Sequence, residues 1–373
     1  MDKIRGVNLG NWLVLEKWMN PLMFEGTDCE DETWLCRTLP DIIKQERYFQ
    51  HRSTYITERD FLYIAGQGLN AVRIPVPYFI FGDRDPFIGC IEFLDLAFNW
   101  AEAHGLQILI DLHTAPGSQN GFDNGGICGV CTWAQNRAEV EYVLHVLERL
   151  AERYRDRPGL WGLQVLNEPI SERVWTEGRI QERYPPRDPA EAAGSGPIPT
   201  HFLKTFYREA YRRIRLHLPE TKAVVFHDGF RLTEWDGYFT DGVFVNVVLD
   251  THPYLMGAHP SPGEDPVLGI GRYIKENWTV PILNLGGQVP LIAGEWCIAN
   301  SAAPGMKTKQ ETAEAYREIF KMQTDLFEKS LGWFFWSYKL LYDKTCPGAR
   351  TSDGWDFGRC AAEGWIPERL GDG

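Results

Sequence analysis

Eight short apolar segments recur along the chain, at 4–10, 69–76, 106–113, 160–168, 222–228, 243–254, 290–296 and 332–339. Their apolar residues run on without alternation, as in "LQILIDLH" (106–113). A strand with one wet face alternates. A continuous run needs cover on both faces, as in a parallel sheet with helices packed against it. Most intervals between the segments carry the helical period instead. In 137–156, Val140, Val143, Leu144, Leu147 and Leu150 form one stripe, with Glu and Arg elsewhere. Residues 57–67, 91–104, 201–217 and 310–329 are also amphipathic. Strand and helix in alternation around eight strands predict an α/β fold, a single (β/α)8 TIM barrel over residues 1–373. Two intervals break the rhythm: 171–200, rich in charge, Pro and Gly, and 340–367, with Gly, Asp, Trp and Cys but no helical period. Each directly follows a strand, so both read as elaborated βα loops on the active-site face, not as linkers.

The strand ends carry the chemistry. "GLQVLNEPIS" (162–171) runs apolar and then stops on Asn167-Glu168-Pro169. A carboxylate at the lip of a core is costly unless something there needs it. The first strand is followed by Asn11, Trp12 and Glu16, and the second carries Arg73. The third ends on Asp111-Leu112-His113, the sixth on Asp250-Thr251-His252-Pro253-Tyr254, the seventh on Glu295-Trp296, and the eighth carries Trp336. In a barrel these ends converge on one pocket, so Glu168 and Glu295, on the fourth and seventh strands, face each other across its mouth. Paired carboxylates with tryptophans alongside suit glycosidic bond cleavage, one acting as general acid and the other as nucleophile. Arg73 with His and Tyr groups is expected to keep Glu295 ionised. Glu168, in a more apolar setting, is expected to have a raised pKa.

Composition narrows the partners. With 38 Lys and Arg against 51 Asp and Glu, the formal charge of −13 disfavours nucleic acid and anionic membrane surfaces. The 14 Trp suit a protein that stacks sugar faces, although aromatics also fill large cores. No apolar run approaches the roughly 18–20 residues of a membrane span. "MDKIRGVNLGNW" has no basic-then-apolar leader, which fits a cytoplasmic protein, or a secreted one whose signal peptide has been removed. Cys29 with Cys36, and Cys346 with Cys360, lie in polar loops and could pair in an oxidising setting. Cys128-Gly129-Val130-Cys131 is half a zinc site that no second pair completes, and His113, His227, His252 and Asp111 lack HxH spacing. No metal or cofactor is expected, and His227 reads as a core histidine.

The stretches "GVNLGNWLVLEKW", "VRIPV", "DLHTAPGSQNGFDNGG", "LQVLNEP", "FHDGF", "DTHPY", "AGEW" and "GWFFWSYK" resemble glycoside hydrolase family 5, and within it the exo-β-1,3-glucanase group. NEP and GEW are shared widely in that clan, and "APGSQNGFDN" is the narrower mark. The resemblance implies that Glu168 is the acid/base and Glu295 the nucleophile. Arg73, His113, Asn167, His252 and Tyr254 would then line the −1 subsite, with Trp336 as the platform beneath the sugar. Glu16 would grip terminal hydroxyls, Asn124 would make a polar contact and Phe122 would form half of an entrance clamp. A cis bond between Trp336 and Ser337 is also implied. The second clamp aromatic falls near Gly257, and "DTHPY" and 171–200 depart from the group's pattern. The expected activity is retaining exo-hydrolysis of β-1,3-glucan by a monomer. β-1,4- or β-1,6-glucan hydrolysis, aryl-glucosidase activity, an inactive sugar-binding barrel and a metal-dependent hydrolase are the alternatives.

Overall fold

The computed structural model describes residues 3–341, 353–367 and 369–370. All eight apolar segments contain strands: β1 (Ile4–Asn8), β2 (Ala71–Val76), β3 (Gln107–Leu112), β4 (Leu160–Gln164), β5 (Ala223–His227), β6 (Val247–Thr251), β7 (Leu291–Trp296) and β8 (Gly332–Phe335). They pair in parallel in chain order, and β8 closes on β1 with Ile4 opposite Gly332 and Val7 opposite Phe335. Most of the strands are shorter than the runs that announce them, because residues such as Asn167 and Glu168 lie past the last ladder bond and line the mouth.

Among the described residues, twelve α-helices accompany the strands: α1 (Glu32–Thr38), α2 (Asp41–Thr54), α3 (Glu58–Gly66), α4 (Ile91–Ala103), α5 (Arg137–Tyr154), α6 (Glu172–Glu177), α7 (Ile180–Arg183), α8 (Thr200–Ile214), α9 (Pro266–Ile274), α10 (Val280–Gly286), α11 (Lys309–Phe327) and α12 (Phe357–Ala362). The five amphipathic stretches are α3, α4, α5, α8 and α11. Two of their starts show capping chemistry plainly: Asn136 accepts from Ala138 N and Glu139 N at α5, and Thr308 and Glu311 form a capping box at α11. The remaining helices depart from the expected pattern. The buried side of α2 is Lys44, Tyr48, His51 and Arg52, so its stripe is polar and hides the period. The segments 171–200 and 340–367, expected to be loops, contain the short helices α6, α7 and α12.

Ile4, Ala71, Leu109, Ala223, Val225, Val248, Ile292 and Phe334 form a separate apolar cluster on the strands. The larger core lies between strands and helices. Two strand-end tryptophans belong to that larger core and not to the pocket. Trp12 is buried and donates to Arg52 O at 2.8 Å, and Trp296 packs on Phe320, Phe327 and Trp333. Successive strand residues face opposite ways, so Trp296 turns outward where Glu295 turns in. Cys29 and Cys36 are separate thiols, Cys29 Sγ donating to Thr38 Oγ1 at 3.4 Å and Cys36 Sγ lying 3.0 Å from Tyr48 OH. The expected Cys346–Cys360 pairing involves a residue outside the described ones. Among the described residues, no helix is long and apolar enough to cross a membrane.

Candidate active site

Arg73 is the hub of the barrel mouth. Its Nη1 donates to Asn8 Oδ1 at 2.8 Å and to Glu295 Oε1 at 2.7 Å, its Nη2 to Asn167 Oδ1 at 2.8 Å, and its Nε to Gln164 Oε1 at 2.9 Å. Asp111 Oδ2 lies 3.0 Å from Nη2 and accepts from His113 Nδ1 at 2.6 Å. Four strands thus present their polar residues to one fully buried guanidinium, whose pKa stays high because Asp111, Glu295 and Asp250 outweigh the cost of burial.

Glu295 also accepts from Tyr254 OH at 2.8 Å. Glu168 reaches the same centre by another route. Its backbone sits in the left-handed region at φ 46°, which turns the chain sharply past β4. Its Oε1 accepts from His252 Nδ1 at 2.8 Å, and its Oε2 from Asn124 Nδ2 at 3.1 Å. Glu295 Oε2 is 3.5 Å from the same His252 nitrogen. Those two carboxylate oxygens are therefore no farther apart than the two contacts laid end to end. The other His252 nitrogen, Nε2, faces Asp250 Oδ2 at 3.2 Å. Asp250 is in turn fixed by Gly294 N at 2.6 Å and Gln164 Nε2 at 2.8 Å. Position 294 must be glycine, since a Cβ there would lie 2.2 Å from both Asp250 oxygens.

Both ring nitrogens of His252 face carboxylates, an arrangement that favours the imidazolium. Burial lowers its pKa, but Glu295, Asp250 and Glu168 raise it well above the ordinary value. This corrects the expected electrostatics of the two glutamates. Glu168 is not in an apolar setting. Burial raises its pKa, but the hydrogen bond and charge of His252, with Asn124, hold it below the ordinary range. Glu295, expected to be held ionised, is pushed up by burial against the pull of His252 and Arg73.

Around this centre, the Trp336 ring lies parallel to His113 with centroids 5.7 Å apart, and the Trp336–Ser337 bond is cis. Gly10 lets the chain pass close by, since a Cβ there would sit 2.9 Å from Trp336 Cζ2. Glu16 is buried and accepts from Trp18 Nε1 at 2.7 Å, and Trp18 packs edge-on against Trp355 at 5.6 Å. Burial, and then the Asp123 charge, push the Glu16 pKa well up despite the Trp18 bond. Phe122 is half-buried, with Tyr184 at 5.4 Å and Phe230 at 6.5 Å.

Some participants were not picked out in the sequence. Asn8 and Gln164 hold Arg73, and the signal was there: a polar residue inside an apolar run needs a buried partner. Gln119 donates from Nε2 to both His113 O and Asn167 O at 2.8 Å, clipping β3 to β4, and only its contacts reveal it. Asp123, Trp18 and Trp355 had no distinguishing pattern. His227 is buried beside the pocket, its ring 4.2 Å from that of His252. Glu168, His227 and His252 offer ligand atoms within 4.8 Å of one another. Gly229 N donates to His227 Nδ1 at 2.9 Å, which puts the His227 proton on Nε2. With His252 donating from both nitrogens, neither ring presents a free lone pair, so the trio suits protons better than a cation.

A family model described as cellulase (glycosyl hydrolase family 5) matches residues 42–340. The chain belongs to glycosyl hydrolase family 5. The family 5 chain is 34% identical to the probable glucan 1,3-beta-glucosidase A of Emericella nidulans, over 100% of this chain and 91% of that protein. It is 30% identical to glucan 1,3-beta-glucosidase 2 of Wickerhamomyces anomalus, over 99% and 88%. Its fold is similar to that of rutinosidase from Aspergillus niger, with a TM-score of 0.75 at 21% identity over 98% of each chain. The protein is a glycoside hydrolase.

Proposed function

We propose that the protein is a retaining exo-β-1,3-glucanase that releases glucose from the non-reducing ends of β-glucans. The observation that carries this is the approach of Glu168 and Glu295 to one His252 nitrogen, at 2.8 and 3.5 Å. Sharing that nitrogen keeps these two oxygens closer than the roughly 6.5–9.5 Å at which an inverting enzyme admits a water, which supports retention. The full-length likeness to proteins named glucan 1,3-beta-glucosidases supports the substrate.

Glu295, oriented by Arg73 and Tyr254, attacks the anomeric carbon to form a glycosyl ester. Glu168 gives its proton to the departing oxygen and later draws one from the incoming water. The resting proton sits on His252 and must first cross the 2.8 Å hydrogen bond to Glu168. Attack consumes the Glu295 charge, which is the leading influence raising the His252 pKa, so the chemistry itself drives that proton toward Glu168. His113 and Asn167 line the −1 site, and Trp336 lies under the sugar. Glu16 holds terminal hydroxyls, Asn124 makes a polar contact in the same pocket, and Phe122 guards the entrance.

Hydrolysis of a panel of linkage-defined glucans, followed by proton NMR, tests the proposal. β-Glucose is expected first, from β-1,3 chains. An α-anomer overturns retention, and faster release from β-1,4 or β-1,6 chains overturns the linkage.

A further inference from the structure

The loops after β4, β5 and β6 enclose a groove of about 990 Å³ beside His252, and Arg231, from the β5 loop, is sunk in its wall at 7% exposure. Among the described residues, its four hydrogen bonds all go to neutral oxygens. Nε donates to Gly229 O at 3.0 Å, Nη1 to Ile198 O at 2.7 Å and Thr200 Oγ1 at 3.0 Å, and Nη2 to Pro169 O at 3.0 Å. Burial lowers its pKa, and the charges of Glu234 and Asp228 offset that only in part. A buried cation that gives its donors to main-chain oxygens is stabilised less than one paired with a carboxylate. What the arrangement secures is a grip on three chain segments at once.

One of those segments is the turn that carries the acid/base. Pro169 O is the carbonyl directly after Glu168, whose backbone lies in the left-handed region at φ 46°. A residue other than glycine keeps that conformation only where its surroundings impose it. Upstream, Asn167 N donates to Leu112 O at 2.9 Å and Asn167 O accepts from Gln119 Nε2 at 2.8 Å. Downstream, Pro169 has no N–H, so its carbonyl is the main-chain group by which it can be held, and Arg231 holds it. Position 229 must be glycine for the β5 loop to come this near, since a Cβ there would lie 2.7 Å from Pro169 O. We propose that Arg231 is a positioning residue: by gripping Pro169 O it aims the Glu168 carboxyl at the leaving-group oxygen. It rests on the assignment of Glu168 as acid/base above. His252 and Asn124 orient the two carboxylate oxygens, but the turn sets the Cα from which they reach. A displacement of about 1 Å at a reacting group can cost about 100-fold in rate.

The test is the dependence of kcat/KM on the leaving group, across aryl β-glucosides from dinitrophenyl to unsubstituted phenyl. Dinitrophenolate departs without a proton and phenolate needs one, so the steepness of the series reads the aim of the acid. Arg231→Met keeps the length and removes every donor. It should lower kcat/KM by about 30-fold or more on the phenyl glucoside and by less than about threefold on the dinitrophenyl glucoside. Arg231→Lys keeps the charge but not the fork that reaches three segments. It should steepen the series by about fivefold, and it decides the matter if Arg231→Met fails to fold. Glu168→Gln, measured beside them, separates the two readings. If Glu168→Gln does not steepen the series, the acid/base assignment falls and this proposal with it. If it does, while the Arg231 variants lose all substrates equally or lose nothing, Arg231 only braces the loop and the proposal alone falls.

Discussion

At the scale of single residues, the site is organised around the hydrogen bond between His252 and Glu168, with Glu295 close to the same ring nitrogen. This makes the two glutamates separable by experiment. Glu295→Gln should abolish turnover of every substrate, because no nucleophile remains. Glu168→Gln should retain the first step on dinitrophenyl glucosides, which need little protonation, and lose it on glucans. Equal loss of the dinitrophenyl burst in both variants would contradict the assigned roles. The pH profile of kcat/KM follows from the same hydrogen bond. Its alkaline limb should lie well above the ordinary imidazole value, since the surrounding carboxylates raise the pKa of His252. Its acid limb should lie above the ordinary glutamate value, because Glu295 is raised by burial and is inactive once protonated. An alkaline limb near 6.5 would mean that His252 does not carry the proton. The positions of Glu168 and Glu295 were legible because each ends an apolar run. Their electrostatics were not. Glu168 is governed by a histidine 84 residues away, and no neighbour in sequence announces that contact.

At the scale of elements, the segment from β1 to α2 carries Glu16 and depends on a buried carboxylate that takes no part in the chemistry. Glu32 Oε2 accepts from Leu15 N at 3.0 Å, next to Glu16, whose own N–H is held by Asn11 Oδ1 at 2.9 Å. Burial lifts the Glu32 pKa to about 7, with Arg52 pulling the other way. Between the ordinary glutamate value and about 7, the folded protein holds a proton that the unfolded chain has released. Folding stability therefore falls as pH rises through that window, by about 3 kcal/mol in all. Gln at position 32 keeps an acceptor for Leu15 and has no proton to lose. Relative to the unaltered protein, Glu32→Gln should gain stability between pH 5 and pH 8, which denaturant unfolding at the two values measures. A stability difference independent of pH would show that Glu32 ionises alike in both states. The eight strands were legible because burial on both faces leaves a continuous apolar run. α2 was not, because its inward stripe of Lys44, Tyr48, His51 and Arg52 is satisfied by hydrogen bonds and ring contacts, which hydropathy does not register.

At the scale of the whole molecule, closure of the barrel decides where a glucan can be cut. Because β8 pairs with β1, whatever follows β8 meets the loop that follows β1. That much was legible from counting eight strands. The particular contact, Trp355 edge-on to Trp18, was not, because both residues lie in segments without period. Residues 342–352, part of the elaborated βα loop expected on the active-site face, lie outside the described ones. Trp18 holds Glu16 at 2.7 Å, and Asp123, from the β3 loop, is near enough to raise its pKa. One side of the mouth is thus lined by the buried Glu16 carboxyl and the half-buried Asp123, while the opposite side opens into the groove beyond His252. On the exo-glucanase reading proposed above, a chain enters by its end, with the terminal sugar against Glu16. A buried carboxyl that holds sugar hydroxyls contributes roughly 1.5–3 kcal/mol per charge-assisted bond, and less while protonated. Glu16→Ala should therefore lower kcat/KM on laminarin-type chains by about 10²-fold. Glu16→Gln, which resembles the protonated form that burial favours, should lose less. An endo-acting open cleft would spread its binding over many weak contacts and barely register either change. The products formed at low conversion from a long β-1,3-glucan separate the two geometries. Glucose alone is expected, and a ladder of oligosaccharides would mean that the Glu16 side of the cleft is open.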